Sequence, residues 1–202
     1  MEKRNGKGKN DFGNIFEGEY LNGKKWKGKS SEYNKIGYLI YEDEYLNGER
    51  KNIKEYDFNY NGNLIFEVVY LNEKRNGKGK EYNEENCLIF EGEYLKGKRN
   101  GKGKEYNRWD GRFIYEGEYL NGEKNGKGKE YNQYGKMIFE GEYLNGQRWN
   151  GKGKEYDLNG SDLLFEEEYL NGQRWNGKGK KYDYDINKMI ELEYVNGEIF
   201  EK

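Results

Sequence analysis

The sequence predicts an all-β fold: an elongated, single-layer antiparallel β-sheet of stacked β-hairpin repeats of roughly 25 residues each. Three observations carry this expectation. A Tyr-Leu step recurs at Tyr20, Tyr45, Tyr70, Tyr94, Tyr119, Tyr143 and Tyr169, and as Tyr-Val at Tyr194, with 24–26 residues between copies. Apolar residues alternate with polar ones at a period of two, with none at the i, i+3, i+4 spacing of a helix. Asn-Gly follows the first strand at Asn22, Asn47, Asn121, Asn145, Asn171 and Asn196, and Asn-Gly between alternating segments is a strong hairpin signal because both residues tolerate φ > 0.

The elements follow in chain order. Residues 1–10 hold half a repeat, Arg4-Asn5-Gly6-Lys7-Gly8-Lys9. Each full unit then reads as two strands and two loops. In the first strand, for example Leu88-Ile89-Phe90-Glu91-Gly92-Glu93-Tyr94-Leu95, Phe90, Gly92 and Tyr94 share one face while Glu91, Glu93 and Leu95 share the other. The second strand, for example Gly101-Lys102-Gly103-Lys104-Glu105-Tyr106, ends in an aromatic. Length differences collect between the strands, where Trp26, Trp149 and Trp175 stand as insertions, and in return segments such as Asn59-Tyr60-Asn61-Gly62. Insertions of this kind mark loops. The last copy, Ile190-Glu191-Leu192-Glu193-Tyr194-Val195-Asn196-Gly197, has a first half and no complete second. Residues 1–202 therefore read as a single array of about seven full units with a half unit at each end.

Composition supports order despite its polarity. Hydrophobic residues are 33% and charged residues 37% of the chain, a balance typical of disorder. Aromatics, however, reach 17%, including 21 Tyr, and they hold fixed phases of the repeat. There is no Pro, which suits strands that must all donate to a ladder.

The same composition narrows function. A net charge of −2 from 36 basic and 38 acidic residues removes the basic footprint that nucleic acid requires. The lone Cys87 has no internal disulfide partner, which points to a reducing compartment. With no apolar leader after Met1 and no run of membrane-helix length, a cytoplasmic location is expected. The sequon Asn159-Gly160-Ser161 reads as chance in an Asn-rich chain. The chain has no His, so neither a His-based triad nor a His-ligated metal is expected. Gly-x-Gly pairs without a following helix do not form a phosphate loop. Carboxylate pairs such as those in Glu166-Glu167-Glu168 belong to the repeat pattern and not to one special site. No enzyme activity, cofactor or metal is expected.

The unit Tyr/Phe-Glu-Gly-Glu-Tyr-x-Asn-Gly-x-x-x-Gly-x-Gly, clearest at residues 90–103, 115–128 and 139–153, resembles the MORN repeat (membrane occupation and recognition nexus), and the resemblance covers essentially the whole chain. Asn76, Asn100, Asn125, Asn150 and Asn176 stand where that family usually has His, and the unit at residues 41–56 lacks Gly-x-Gly. The Lys-Glu-Tyr ending of strand two is closer to the variant MORN repeats of bacterial proteins. The resemblance implies a scaffold or binding role, with membrane and phosphoinositide binding attributed to some members.

On the residues themselves, the glycines are expected to let aromatic rings lie flat on the backbone. Lys and Glu rows are expected to face each other across strands as a charge ladder. The expected function is a non-catalytic scaffold that binds a protein partner through one aromatic-lined face. Alternatives are weak peripheral contact with anionic membrane through the lysine rows, and glycan binding through exposed Tyr and Trp. Candidate binding residues are Trp26, Trp109, Trp149 and Trp175, with Tyr94, Tyr119 and Tyr143 on the aromatic face. Two readings of the tryptophans stand open: a recognition surface, or packing over the sheet edge. End-to-end self-association is a further expectation, because each half unit exposes a strand edge.

Overall fold

A computed structural model of the chain describes residues 3–10, 13–59, 61–70, 76–183 and 187–201. It is all-β, with strands of 4 to 11 residues and no helix among the described residues. Among the described residues no helix is long and apolar enough to cross a membrane. The chain divides into two compact units, Met1–Arg99 and Asn100–Lys202.

The first unit contains β1 (Lys3–Lys9), β2 (Ile15–Leu21), β3 (Lys24–Tyr33), β4 (Leu39–Leu46), β5 (Glu49–Phe58), β6 (Leu64–Tyr70), β7 (Gly77–Tyr82) and β8 (Leu88–Leu95). Each strand from β1 to β8 pairs antiparallel with the next. The second unit begins within β9 (Lys98–Tyr106). It continues through β10 (Phe113–Leu120), β11 (Glu123–Tyr131), β12 (Met137–Leu144), β13 (Gln147–Tyr156), β14 (Leu163–Leu170), β15 (Gln173–Asp183), β16 (Lys188–Val195) and β17 (Glu198–Glu201). It is the same meander of consecutive antiparallel neighbours.

The hairpins are tighter than the sequence suggests. Strand two begins directly after the turn, so Leu144 pairs with Gln147 and Leu170 with Gln173 across two residues. The turn asparagines hold φ near +50°, at Asn22, Asn47, Asn121, Asn145, Asn171 and Asn196, and Gly follows with φ of 77–101°. This is the positive-φ pair that matches the twist of the flanking strands. The tryptophan insertions are therefore not in loops. Register shifts fall between Glu19 and Tyr20, Glu142 and Tyr143, and Glu168 and Tyr169. Glu142 pairs with Asn150 and Tyr143 with Arg148, which leaves Trp149 as the extra residue of a β-bulge; Trp26 and Trp175 hold the same place. A bulge absorbs one residue without breaking the ladder.

The return loops also have a local cause. Where Asn follows the strand-two Tyr, it turns its side chain back onto the loop. Asn34 Oδ1 accepts from the Ile36 and Tyr38 N–H groups, Asn83 Oδ1 from Glu85 and Cys87, and Asn132 Oδ1 from Tyr134 and Lys136, at 2.8–3.1 Å. This is the turn that Asn favours over regular structure.

In each unit the core lies on one face: Phe16, Ile53, Val68, Phe90 and Tyr94 in the first, and Tyr115, Tyr119, Phe139, Tyr143 and Phe165 in the second. Phe90 and Tyr94 of β8, Tyr115 and Tyr119 of β10, and Phe139 and Tyr143 of β12 are buried and the final Leu of each strand is exposed, as alternation requires. The expected charge ladder faces the other side. Glu140 sits opposite Lys129 and Lys152, and Glu166 opposite Lys154 and Lys178. Ion pairs close at Lys7–Glu17, Lys129–Glu140, Lys154–Glu166 and Lys178–Glu193, 2.9–3.4 Å.

Burial orders the expected cost of losing a ring. Tyr119 is 4% exposed, whereas Tyr194 is only half-buried. In urea titrations of the full chain, Tyr119→Ala should lower the stability of the second unit by about 3 kcal/mol or more, and Tyr194→Ala by clearly less. Equal losses would contradict the placement of the core.

Candidate functional site

Within each unit the aromatic face is built from edge-to-face contacts and not from a flat stack. Phe139 meets Tyr143 of its own strand at 5.2 Å between ring centres and Tyr169 of the next repeat at 5.5 Å, with interplanar angles of 81° and 90°. Tyr115 does the same with Tyr119 and Tyr143 at 5.6 and 5.3 Å. Phe16 meets Tyr20 and Tyr45 at 4.9 and 5.7 Å. Edge-to-face geometry follows from the ring quadrupole. Glycine makes room for it. A Cβ on Gly141 or Gly151 would lie 2.8–2.9 Å from Phe139 Cζ, and one on Gly117 or Gly128 would strike the Tyr115 hydroxyl.

Charged side chains roof these rings. Arg99 lies 4.0 Å from the Phe90 ring centre, Lys124 3.9 Å from Tyr115 and Arg148 4.8 Å from Phe139, within cation–π range. Each roof then ends on a carboxylate of the preceding hairpin. Arg99 forks onto Glu81 at 2.7 and 2.9 Å, Lys124 reaches Glu105 at 3.1 Å, Arg50 reaches Glu32 at 3.5 Å, Arg148 clasps Glu130 and Arg174 clasps Glu155. Partners are 18 or 19 residues apart. Sequence reasoning missed this clasp because it assigned every Lys-Glu relation to the exposed ladder. The signal is the basic residue at the second position of strand two, paired with the Glu of Lys-Glu-Tyr one unit earlier.

The clasps shift the groups they hold. Burial works to raise the Glu81 carboxyl, but hydrogen bonds from Arg99 and Tyr94 outweigh it and hold the group below the ordinary carboxylate value. Burial, reinforced by Glu81, pushes the Tyr94 phenol far up. In two repeats a carboxylate replaces the central glycine of strand one. Asp43 and Glu167 are each 3% exposed and contact Arg50 Nε and Arg174 Nε at 2.8 and 2.9 Å. Burial pushes Glu167 above its ordinary value, and the nearby Arg174 charge offsets this only in part.

Both edges tie each repeat to the next. At the hairpin edge, the Asn that precedes the strand-two Gly-x-Gly caps the following turn. Asn76, Asn150 and Asn176 Oδ1 accept the Lys96, Asn171 and Asn196 N–H groups at 3.0–3.1 Å. The turn glycines donate to strand two of the hairpin before. Gly48, Gly172 and Gly197 bond the Trp26, Trp149 and Trp175 carbonyls, and Gly146 bonds that of Lys124, at 2.8–2.9 Å. The three bulge tryptophans also lay their rings against those glycines, whose added Cβ would fall 3.3–3.8 Å from the indole. At the return-loop edge, Arg112 Nη1 donates to the Gln133 carbonyl (2.5 Å), Lys136 Nζ to Ser161 (3.2 Å) and the Tyr134 hydroxyl to Leu158 (2.6 Å).

The candidate binding residues thus separate into three groups. Tyr94, Tyr119 and Tyr143 are 3–5% exposed and belong to the core. Trp26, Trp149 and Trp175 are half-buried bulge residues packed on neighbouring turns. Trp109 alone among the four tryptophans is open, at 77% exposed, on a return loop with Tyr134 (47%) and Leu158 (94%) on the next two. Its backbone N–H is fixed by Asn107 Oδ1 at 2.8 Å, and Arg108 lies 5.1 Å from its ring centre. No protein-family model matches the chain, and no curated protein matches it.

Among the buried polar groups that lack a hydrogen-bond partner, one is a phenol whose ring position is Phe in other repeats. Tyr115 is fully buried and its hydroxyl has no hydrogen-bond partner among the described residues. Tyr115→Phe should raise stability by about 1 kcal/mol, the cost of a buried hydroxyl without a partner, in denaturant titrations. A loss of similar size would show that the hydroxyl is bonded.

Proposed function

We propose that the chain is a non-catalytic repeat scaffold of the MORN kind its motif resembles. We place its protein-binding surface on the return-loop edge of the second unit, at Arg108, Trp109, Tyr134 and Leu158. Trp109 carries the reading. An indole that is 77% exposed on a turn packs on no core residue, and Trp, Tyr and Arg dominate the energetics of protein interfaces. The loops are also where the repeat varies, since Ile36, Trp109, Tyr134 and Leu158 all stand at loop tips with no shared identity. Constant positions build the sheet and variable tips are left to recognise.

A partner seated on the aromatic face would meet Arg, Lys and Glu and not rings, because the rings lie beneath the clasps. Binding to anionic lipid has weaker support. On the ladder face a groove of about 720 Å³ is lined by Lys152, Lys154 and Lys178 together with Glu166, Glu168 and Glu193, so each positive charge lies beside a negative one. A cytoplasmic compartment suits the exposed, free Cys87 thiol.

The test compares two tryptophans in affinity capture with the full chain. Trp109→Ala should leave stability within about 0.5 kcal/mol, as for a surface substitution, and lose the captured partner. Trp149→Ala should lower stability by about 1–3 kcal/mol and keep the partner. Unchanged capture by Trp109→Ala would remove the proposed surface, and salt-sensitive flotation with anionic vesicles would favour the membrane reading.

A further inference from the structure

The chain is unusually rich in Asn-Gly steps, and this dipeptide carries its own chemistry. When the Gly backbone nitrogen gives up its proton to solvent base, it can attack the Asn side-chain carbonyl carbon. A C–N bond forms, the bond from Cγ to the side-chain amide nitrogen breaks, and that nitrogen leaves as ammonia. Water then opens the resulting succinimide at either carbonyl, giving aspartate or isoaspartate. The reaction needs no catalyst. It needs an accessible Asn and a Gly N–H free to lose its proton.

Accessibility is present at the hairpin turns, where Asn47, Asn145, Asn171 and Asn196 are all exposed. The free N–H is withheld. Gly48, Gly146, Gly172 and Gly197 each donate to a carbonyl of the preceding hairpin, at Trp26, Lys124, Trp149 and Trp175. For Asn171 and Asn196 the preceding hairpin adds a second hold through Asn150 and Asn176. The return-loop steps differ. Gly62 bonds Asn59 and Gly160 bonds Asp157, three residues back in the same turn. Their protection is local, whereas that of the hairpin turns depends on the neighbour.

We infer that Asn47, Asn145, Asn171 and Asn196 are latent self-modification sites, kept unreactive by the backbone acceptor that the preceding repeat supplies to the following Gly. Separation of two neighbouring repeats frees the Gly N–H and starts the reaction at that turn. The lesion is self-reinforcing. Isoaspartate routes the main chain through an extra methylene, so the two-residue turn can no longer hold Leu170 opposite Gln173. The modification records where the array has opened.

The experiment ages the full chain at neutral pH, folded and in urea, and follows each site by peptide mapping with isoaspartate detection. Asn171 should react about tenfold more slowly, or slower still, in the folded chain, in proportion to the rarity of local opening. Asn150→Ala, which removes the cap on Asn171 but not the hold on Asn145 or Asn159, should speed Asn171 several-fold and leave those two unchanged. Hydrogen exchange in the unaltered chain gives a reading that does not depend on the variant: the Gly172 amide should be protected. Equal rates folded and unfolded, an unprotected Gly172 amide, or equal acceleration at all three sites in Asn150→Ala would each overturn the inference.

Discussion

A hairpin of this sequence has an apolar face and nothing of its own to close it. Phe139 touches Tyr143 on its own strand, but its other edge is open until Tyr169 of the next repeat arrives. Arg148 then lies across the ring from the same hairpin and ends on Glu130 of the hairpin before. Glu130, the Phe139–Arg148 pair and Tyr169 come from three successive hairpins. This is the constraint from which the rest follows, because a unit that cannot bury its own face is stable only between neighbours. The glycines, the bulges and the asparagine caps all serve the close approach that this sharing requires.

Polarity and burial are reconciled by the same device. A chain with 37% charged residues has too little aliphatic surface for an ordinary core. Here the basic side chains act as part of the core lid: their charged heads lie over rings and stay bonded to carboxylates. The exposed ladder of Lys129–Glu140 and Lys154–Glu166 is a different thing. Its members are exposed to solvent, and such pairs add little to stability. Two repeats depart from the pattern by burying Asp43 and Glu167, where burial and pairing oppose each other. These are the places where the array tolerates a second carboxylate against one arginine.

Much of this was legible in the residues. Strand one was readable to the residue, as Leu88–Leu95 shows, because alternation and a terminal Asn-Gly both constrain it. The buried ring positions followed from the same alternation. The clasp was not legible, because a Lys or Glu looks the same in sequence whether it faces solvent or arches over a ring; only the register decides. The bulge tryptophans were misplaced for a related reason. An insertion between strands reads as loop, and the two-residue turn that pushes Trp149 into the strand is visible only once Leu144 is paired with Gln147. Trp109 kept its place, since an insertion in a true loop stays in the loop.

The coupling between repeats through the clasp can be measured directly by a double-mutant cycle on Arg148 and Glu130, with Lys129 and Glu140 as the solvated comparison. The clasp should show a coupling of about 1–3 kcal/mol, the range for partly buried, charge-assisted contacts. The ladder pair should show none that salt does not abolish. A vanishing coupling between Arg148 and Glu130, with both single variants as stable as the parent, would mean that neighbouring repeats are held by the rings and backbone alone.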